Sequence, residues 1–220
     1  MLKAVIFDLD GVITDTAAFH FIAWQKLGNK LGINITEAFN EELKGVDRTE
    51  SLRRILALEN QEQAFSTSEK AALATEKNDF YVTLIEEITP VDILPGISEL
   101  LDKLKQQNIK IGLASASKNA PTILAHLGLS ETFDTIVDPA TLKKGKPDPE
   151  IFIQACKQLA VSPAESIGVE DAYSGIQAIN DATMYSIGIG DSKTLNEANY
   201  VVSTTRELTY KKICELWQNK

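Results

Sequence analysis

The chain has 220 residues, 44% of them apolar and 24% charged, which excludes wholesale disorder and at this length allows a sizeable buried core. The formal net charge of −9 excludes a broad nucleic-acid or anionic-membrane surface, because both require a basic face. Neither a collagen-like bias nor a solenoid period is present.

The first predicted element is the apolar run 4–7, Ala-Val-Ile-Phe, which stops at Asp8. It is far too short for a signal peptide, and no stretch approaches the roughly 18 apolar residues of a membrane span. A cytoplasmic protein with no membrane and no nucleic-acid partner is the expectation. From 14 to about 90 no strand-like run occurs, only helical spacings over 19–31, 49–58 and 68–88. The segment 90–96 then leads back to a helix over 97–106, and short apolar runs follow at 109–114, 135–137, 166–169, 185–189 and 200–202. Strand runs alternating with helical stretches predict an α/β fold with a parallel sheet covered on both faces. The predicted domains are an α/β core of residues 1–13 and 91–220 and a helical insert of residues 14–90 after strand one. Two crossings between them would act as a hinge, so closure over a substrate is expected. Cys156 and Cys214 are isolated from each other and make neither a disulfide framework nor a zinc site.

Polar residues gather after these strand runs, where open α/β sheets bind their ligands. Asp8-Leu9-Asp10-Gly11 follows the first run. Period-two spacing puts the two carboxylates on one side, and Gly11 allows a tight turn. Glu170-Asp171 follows a later run, so four acids converge on one edge and would repel one another without a cation. Oxygen donors without a histidine or cysteine cluster favour Mg²⁺. Ser115-Ala116-Ser117-Lys118-Asn119-Ala120-Pro121 reads as a polar loop running into a helix, with Asn119 as N-cap. It offers hydroxyls and N–H groups to an anion. Lys146, before Pro147, supplies a cation. Each piece has a plainer alternative: a solvated turn for Asp8 and Asp10, helix-start acids for Glu170 and Asp171, and a solvated surface group for Lys146.

Taken together, Asp8-x-Asp10-Gly11, Ser115, Lys146-Pro147 and Glu170-Asp171, in that order, resemble the haloacid dehalogenase superfamily of phosphotransferases. The insert resembles the helical cap of its first cap class, and the core its Rossmann-like sheet. Longer strings resemble the β-phosphoglucomutase family within it: 7–16 with His20 and Trp24, Leu43-Lys44-Gly45-Val46-x-Arg48, Lys77-Asn78-Asp79, and 114–119. The resemblance implies Asp8 as nucleophile and Asp10 as general acid/base, with Ser115 and Lys146 on the transferring phosphoryl group. Mg²⁺ would lie on the Asp8 carboxylate, the Asp10 backbone carbonyl and acids of the Glu170-Asp171 pair. Ala116, Ser117, Lys118 and Asn119 would form the neighbouring loop. Arg48 would hold the distal phosphate, and Thr16, His20, Trp24, Lys44, Gly45, Val46 and Lys77 would shape the sugar pocket.

The implied partner is a small-molecule sugar phosphate, the implied reaction the interconversion of β-D-glucose 1-phosphate and D-glucose 6-phosphate, and the implied state a monomer. A sugar-phosphate phosphatase on the same scaffold, a mutase for another sugar phosphate, and a non-catalytic phosphate-sensing module are the competing readings. His20, Trp24 and Lys77 also read as ordinary helix residues, Trp24 as core. No G-x-x-x-x-G-K-[ST] string occurs, and Gly188-Ile189-Gly190 lacks the third glycine of a dinucleotide fingerprint.

Overall fold

The computed structural model describes residues 1–43 and 46–220, so the predicted site residues Lys44 and Gly45 lie outside the described residues. The chain divides into two compact units, one of Met1–Asp15 with Ile88–Lys220 and one of Thr16–Glu87. In chain order β1 (Ala4–Phe7) opens the first unit, and the second contributes α1 (Ala17–Leu31), α2 (Glu37–Glu41), α3 (Arg48–Ala57) and α4 (Thr67–Ile85). The first unit resumes with α5 (Ile97–Gln106), β2 (Lys110–Leu113), α6 (Ala120–His126), β3 (Thr135–Ile136) and α7 (Glu150–Leu159). It ends with β4 (Ser166–Glu170), α8 (Tyr173–Asp181), β5 (Tyr185–Ile189), β6 (Tyr200–Val202) and α9 (Tyr210–Gln218).

All six strands are parallel, in the order β3-β2-β1-β4-β5-β6. The four residues of β1 are wholly buried, as expected of a central strand that must bury both faces and so reads as an unbroken apolar run. Ala4 and Ile6 share one cluster with Phe152, Ala155 and Leu159 of α7 and Ile176 and Ile179 of α8. The order reverses direction at β1, between β2 and β4, which opens a crevice at the carboxyl ends of these strands.

In the second unit α4 packs on α1, and Trp24, Leu27, Ile33, Ile35, Leu52, Ile55, Leu56 and Leu73 form its core. The expected helix over 68–88 begins and ends earlier. Ser66 and Glu69 close a capping box at its start, with Glu69 N–H donating to Ser66 Oγ at 3.3 Å and Ser66 N–H to Glu69 Oε2 at 2.8 Å, a cap contributing about 1 kcal/mol. At its end Pro90 forces Thr89 into extended geometry (φ −136°, ψ 169°), which a helix cannot pass through. Likewise α3 begins at Arg48, because Asp47 Oδ1 accepts the N–H groups of Thr49 and Glu50 at 2.9 and 3.2 Å. Among the described residues no helix is long and apolar enough to cross a membrane.

Candidate active site

The register of the sheet assembles the centre of the site. Phe7 is aligned with Leu113 of β2 on one side and with Val169 of β4 on the other. The next residue along each strand direction is therefore Asp8, Ala114 or Glu170. Asp8 N–H donates to Val169 O at 2.9 Å and Ala114 N–H to Phe7 O at 2.8 Å, so the ladder continues one step past β1. Glu170 is the last residue of β4 and is fully buried. It is thus a strand residue, where the sequence also allowed a helix-start acid.

Lys146 reaches this edge from the loop before α7. Its Nζ donates to Asp8 Oδ1 at 2.6 Å and to Glu170 Oε2 at 2.9 Å, with side-chain exposures of 1% for Lys146, 7% for Asp8 and 0% for Glu170. The ring of Phe152 lies 5.2 Å away on another side. Burial alone would lower the pKa of the ammonium, but the Asp8 and Glu170 carboxylates together outweigh it and raise the pKa above the ordinary lysine value. For Glu170 burial acts first and the Asp8 charge next; both push the carboxyl well above the usual range, against the pull of Lys146. Lys143 and Lys144 of the same loop are exposed, so Lys146 is the lysine that points inward.

Asp8, Glu170 and Asp171 each present an oxygen within 4.8 Å of the others. Three carboxylates rather than the expected four thus gather there, and Asp10 is not in the group. Beyond Asp8 the backbone turns away from the sheet: Gly11 N–H donates to Thr14 O at 2.8 Å and Asp10 pairs with Thr14 in an isolated bridge. Gly11 sits at φ +70°, and a Cβ there would lie 2.2 Å from Asp171 Oδ2. Both the turn and the close approach of Asp171 therefore require glycine. A divalent cation fits this cluster on the chemistry of its donors. Glu170 Oε1 is buried with no hydrogen-bond partner among the described residues, an omission that costs about 1–3 kcal/mol. An all-oxygen donor set suits a hard ion.

Ser115 is buried two residues beyond β2. Its Oγ accepts the N–H of Ser117 at 3.1 Å, and Ser117 Oγ accepts the N–H of Asn119 at 3.2 Å. The Ser115 hydroxyl hydrogen is left as a donor. Ala116 and Ser117 are half-buried and Lys118 is exposed. Asn119 stands at the N-cap position of α6, but its side chain makes no capping bond. The expected capping is replaced by the two serine turns, which hold the loop through main-chain N–H groups.

Within the second unit a separate polar network runs through the helix pair. Lys77 is only 3% exposed and lies on the buried stripe Leu73, Lys77, Tyr81, Ile85 of α4, where four-residue spacing stacks the side chains on one face. Its Nζ is 2.7 Å from His20 Nδ1 and 4.6 and 4.7 Å from the ring centroids of Trp24 and Tyr81. An ammonium only donates, so Nδ1 is the unprotonated nitrogen of the imidazole. Burial first, then Lys77 and Arg48, push the His20 pKa well below its usual 6.5. His20 stacks on Tyr81 with centroids 4.1 Å apart, and the Tyr81 hydroxyl shares a 2.9 Å hydrogen bond with Thr16 Oγ1. Trp24 is a core residue that also floors the lysine. Arg48, the first residue of α3, donates from a guanidinium NH2 to Asn78 Oδ1 at 2.7 Å. Val46 is half-buried.

Tyr81, Asn78 and Gly175 were not singled out as site residues on sequence grounds. A Cβ on Gly175 would lie 2.0 Å from Glu170 Cδ, so α8 can pass Glu170 only with glycine there. A signal for Tyr81 existed, since it shares the four-residue stripe with Lys77. Gly175 had none, because its constraint comes from another element.

A model of the haloacid dehalogenase-like hydrolases matches residues 2–183. The chain is 49% identical over 217 residues to a β-phosphoglucomutase of Bacillus subtilis, covering 99% of this chain and 96% of the relative. It is 32% identical over 208 residues to a phosphorylated carbohydrates phosphatase of Thermotoga maritima, covering 91% and 93%. A crystal structure of a β-phosphoglucomutase from Clostridium difficile superposes with a TM-score of 0.98 at 53% identity, covering 100% of this chain and 98% of that one. That likeness extends to its Rossmann-like core with a helical cap inserted after strand one, and the chain belongs to the haloacid dehalogenase-like hydrolase family, on the branch that carries the β-phosphoglucomutases.

Proposed function

We propose that the protein is a Mg²⁺-dependent phosphomutase that interconverts β-D-glucose 1-phosphate and D-glucose 6-phosphate through an aspartyl phosphate and β-glucose 1,6-bisphosphate. The observation that carries this reading is the near full-length likeness to the Bacillus subtilis β-phosphoglucomutase; the buried Asp8–Lys146–Glu170 group supports it chemically. The phosphoryl group carried on Asp8 Oδ passes to the 6-hydroxyl of β-glucose 1-phosphate as the Asp8–phosphorus bond breaks, giving the bisphosphate. Asp8 Oδ then forms a new bond to the phosphorus at position 1 as the sugar oxygen leaves, so that glucose 6-phosphate departs and the aspartyl phosphate is restored. Asp10 takes the proton of the attacking hydroxyl and delivers one to the departing sugar oxygen. Ser115 donates its hydroxyl hydrogen, and Lys146 its ammonium hydrogens, to oxygens of the transferring group. Ala116, Ser117, Lys118 and Asn119 line the adjoining loop. The Asp8 carboxylate, the Asp10 backbone carbonyl, Glu170 and Asp171 would hold Mg²⁺, whose charge would compensate that of the phosphoryl oxygens.

Arg48 grips the non-reacting phosphate, since its planar fork binds phosphate bidentately and Asn78 already orients it. Thr16, His20, Trp24, Lys44, Gly45, Val46 and Lys77 shape the sugar pocket. The reading extends to a cytoplasmic monomer, and light scattering on the purified protein tests its size. The reaction itself is tested by ³¹P NMR with Mg²⁺, β-glucose 1-phosphate and a trace of glucose 1,6-bisphosphate. Glucose 6-phosphate with little free phosphate is expected. Free phosphate alone would make the protein a phosphatase like its Thermotoga maritima relative. Asp8→Asn should form no phosphoenzyme, and normal turnover by that variant would remove Asp8 from the nucleophile's role.

A further inference from the structure

Lys146 has a long, flexible stem, so where its ammonium sits depends on where the backbone of its loop is held. Three lysines and a glycine, Lys143-Lys144-Gly145-Lys146, form this loop, and all but Lys146 are exposed. A surface cavity of about 340 Å³ lined by Lys143, Lys144, Asp148, Glu150 and Lys157 lies beside it, so packing leaves the loop room to move. Hydrogen bonds close it instead. The N–H groups of Lys143 and Lys144 converge on one carboxylate oxygen, Glu150 Oε2, at 2.9 and 3.0 Å. Asp148 Oδ1 accepts the N–H of Glu150 at 3.1 Å, Asp148 Oδ2 faces Lys144 Nζ at 3.3 Å, and Asp148 N–H donates to Gly145 O at 3.0 Å. Successive N–H groups pointing at one oxygen form an anion-holding concavity. Here it is filled by a side chain anchored on α7, whose first turn also favours a negative charge.

We infer that Glu150 is a positioning residue for phosphoryl transfer: by holding the main chain at 143 and 144 it sets the origin from which Lys146 reaches Asp8 and Glu170. The inference rests on the reading that Lys146 holds the transferring phosphoryl group. Glu150 itself touches none of the reacting atoms.

The test uses the full chain, with acetyl phosphate as phosphoryl donor to Asp8 and acetate as the leaving group. Glu150→Ala should slow phosphoenzyme formation about 10- to 100-fold, as expected when a reacting group is misplaced by up to ~1 Å. Glu150→Gln should restore most of the rate, because its amide oxygen still accepts both N–H groups. The ¹⁵N–¹H resonance of the Lys146 ammonium, assigned by its loss in Lys146→Ala, should persist in Glu150→Gln and broaden away in Glu150→Ala. In the unmodified protein the amides of Lys143 and Lys144 should be protected from hydrogen exchange. Exchange as fast as an open loop would overturn the inference without any variant. An unchanged rate and ammonium signal in Glu150→Ala, beside an inactive Lys146→Ala, would overturn the inference and leave the role of Lys146 standing; Glu150→Gln as slow as Glu150→Ala would do the same. A fully active Lys146→Ala would overturn that role and the inference with it.

Discussion

Replacing Lys146 by Met keeps the length of the side chain and removes the cation bonded to both Asp8 and Glu170. At the observed separations of 2.6 and 2.9 Å and an effective dielectric constant of about 20, each attraction is about 6 kcal/mol before desolvation. Desolvation offsets much of this, and removing one partner of a buried ion pair destabilises by about 3–5 kcal/mol. For a chain of this size, that corresponds to a fall in melting temperature of about 6–20 °C. Calorimetry in a chelator-containing buffer reads it directly. Added Mg²⁺ should then stabilise the variant more than the parent, because the acids left without Lys146 gain more from a second cation. The loss should also be smaller at pH 6 than at pH 8. Glu170 is already pushed upward by burial and by Asp8, and without Lys146 its folded form holds a proton that the unfolded carboxyl releases, so stability falls as pH rises. A melting temperature within about 2 °C of the parent in chelator, under ~1 kcal/mol by the same conversion, would refute the reasoning.

Gly175→Ala should displace Glu170, costing about 1–3 kcal/mol of stability by overpacking, and should weaken Mg²⁺ binding measured by calorimetric titration; unaltered binding would show that Glu170 is free to shift. Below pH 6.5 the unfolded His20 takes up a proton that the folded, lowered-pKa imidazole refuses. Stability should therefore decline by up to about 1.4 kcal/mol per pH unit on acidification, and His20→Asn should flatten that slope in chemical denaturation; an equal slope in both proteins argues against a neutral buried imidazole. Arg48→Ala should lower mutase flux about 10- to 100-fold, the worth of a charge-assisted contact, and leave phosphoryl transfer from acetyl phosphate nearly unchanged. Equal losses in the two assays would place Arg48 outside distal-phosphate binding.

The strands were legible because a parallel sheet buried on both faces leaves continuous apolar runs, and those at 4–7, 185–189 and 200–202 coincide with β1, β5 and β6. Helix ends were less legible, since they depend on caps: Asp47 starts α3 and Ser66 starts α4, and the Ser66-x-x-Glu69 pattern was there to be used. That Lys146 meets Asp8 across 138 positions is a fact of topology, which no local spacing encodes. The same holds for Glu170 and Gly175, whose mutual fit appears only once α8 folds back on β4. Lys77 is the instructive case. A lysine in the middle of a four-residue stripe with Leu73, Tyr81 and Ile85 reads as solvated by composition and as buried by position, and position wins because His20, Trp24 and Tyr81 supply it with an acceptor and π-faces.

The central strand pairs directly with β4, Ala4 opposite Ser166, although the two are separated by most of the chain. During synthesis at about 5–20 residues per second, Asp8 therefore waits roughly 10–30 s before Glu170 exists to stand beside it. The second unit, Thr16–Glu87, is contiguous and meets no such delay. Folding order then follows from connectivity: the inserted helices gain protection first, and the sheet closes around β1 only after β4 arrives. Hydrogen exchange on nascent chains stalled before β4 is made would show this as protected α1 and α4 amides beside exchanging β1 amides; a fully protected β1 in those chains would contradict it. Until β4 arrives, β2 is the flanking partner of β1 that has already been made, so Asp8 sits at the rim of a half-built sheet and the acid beside it is added late.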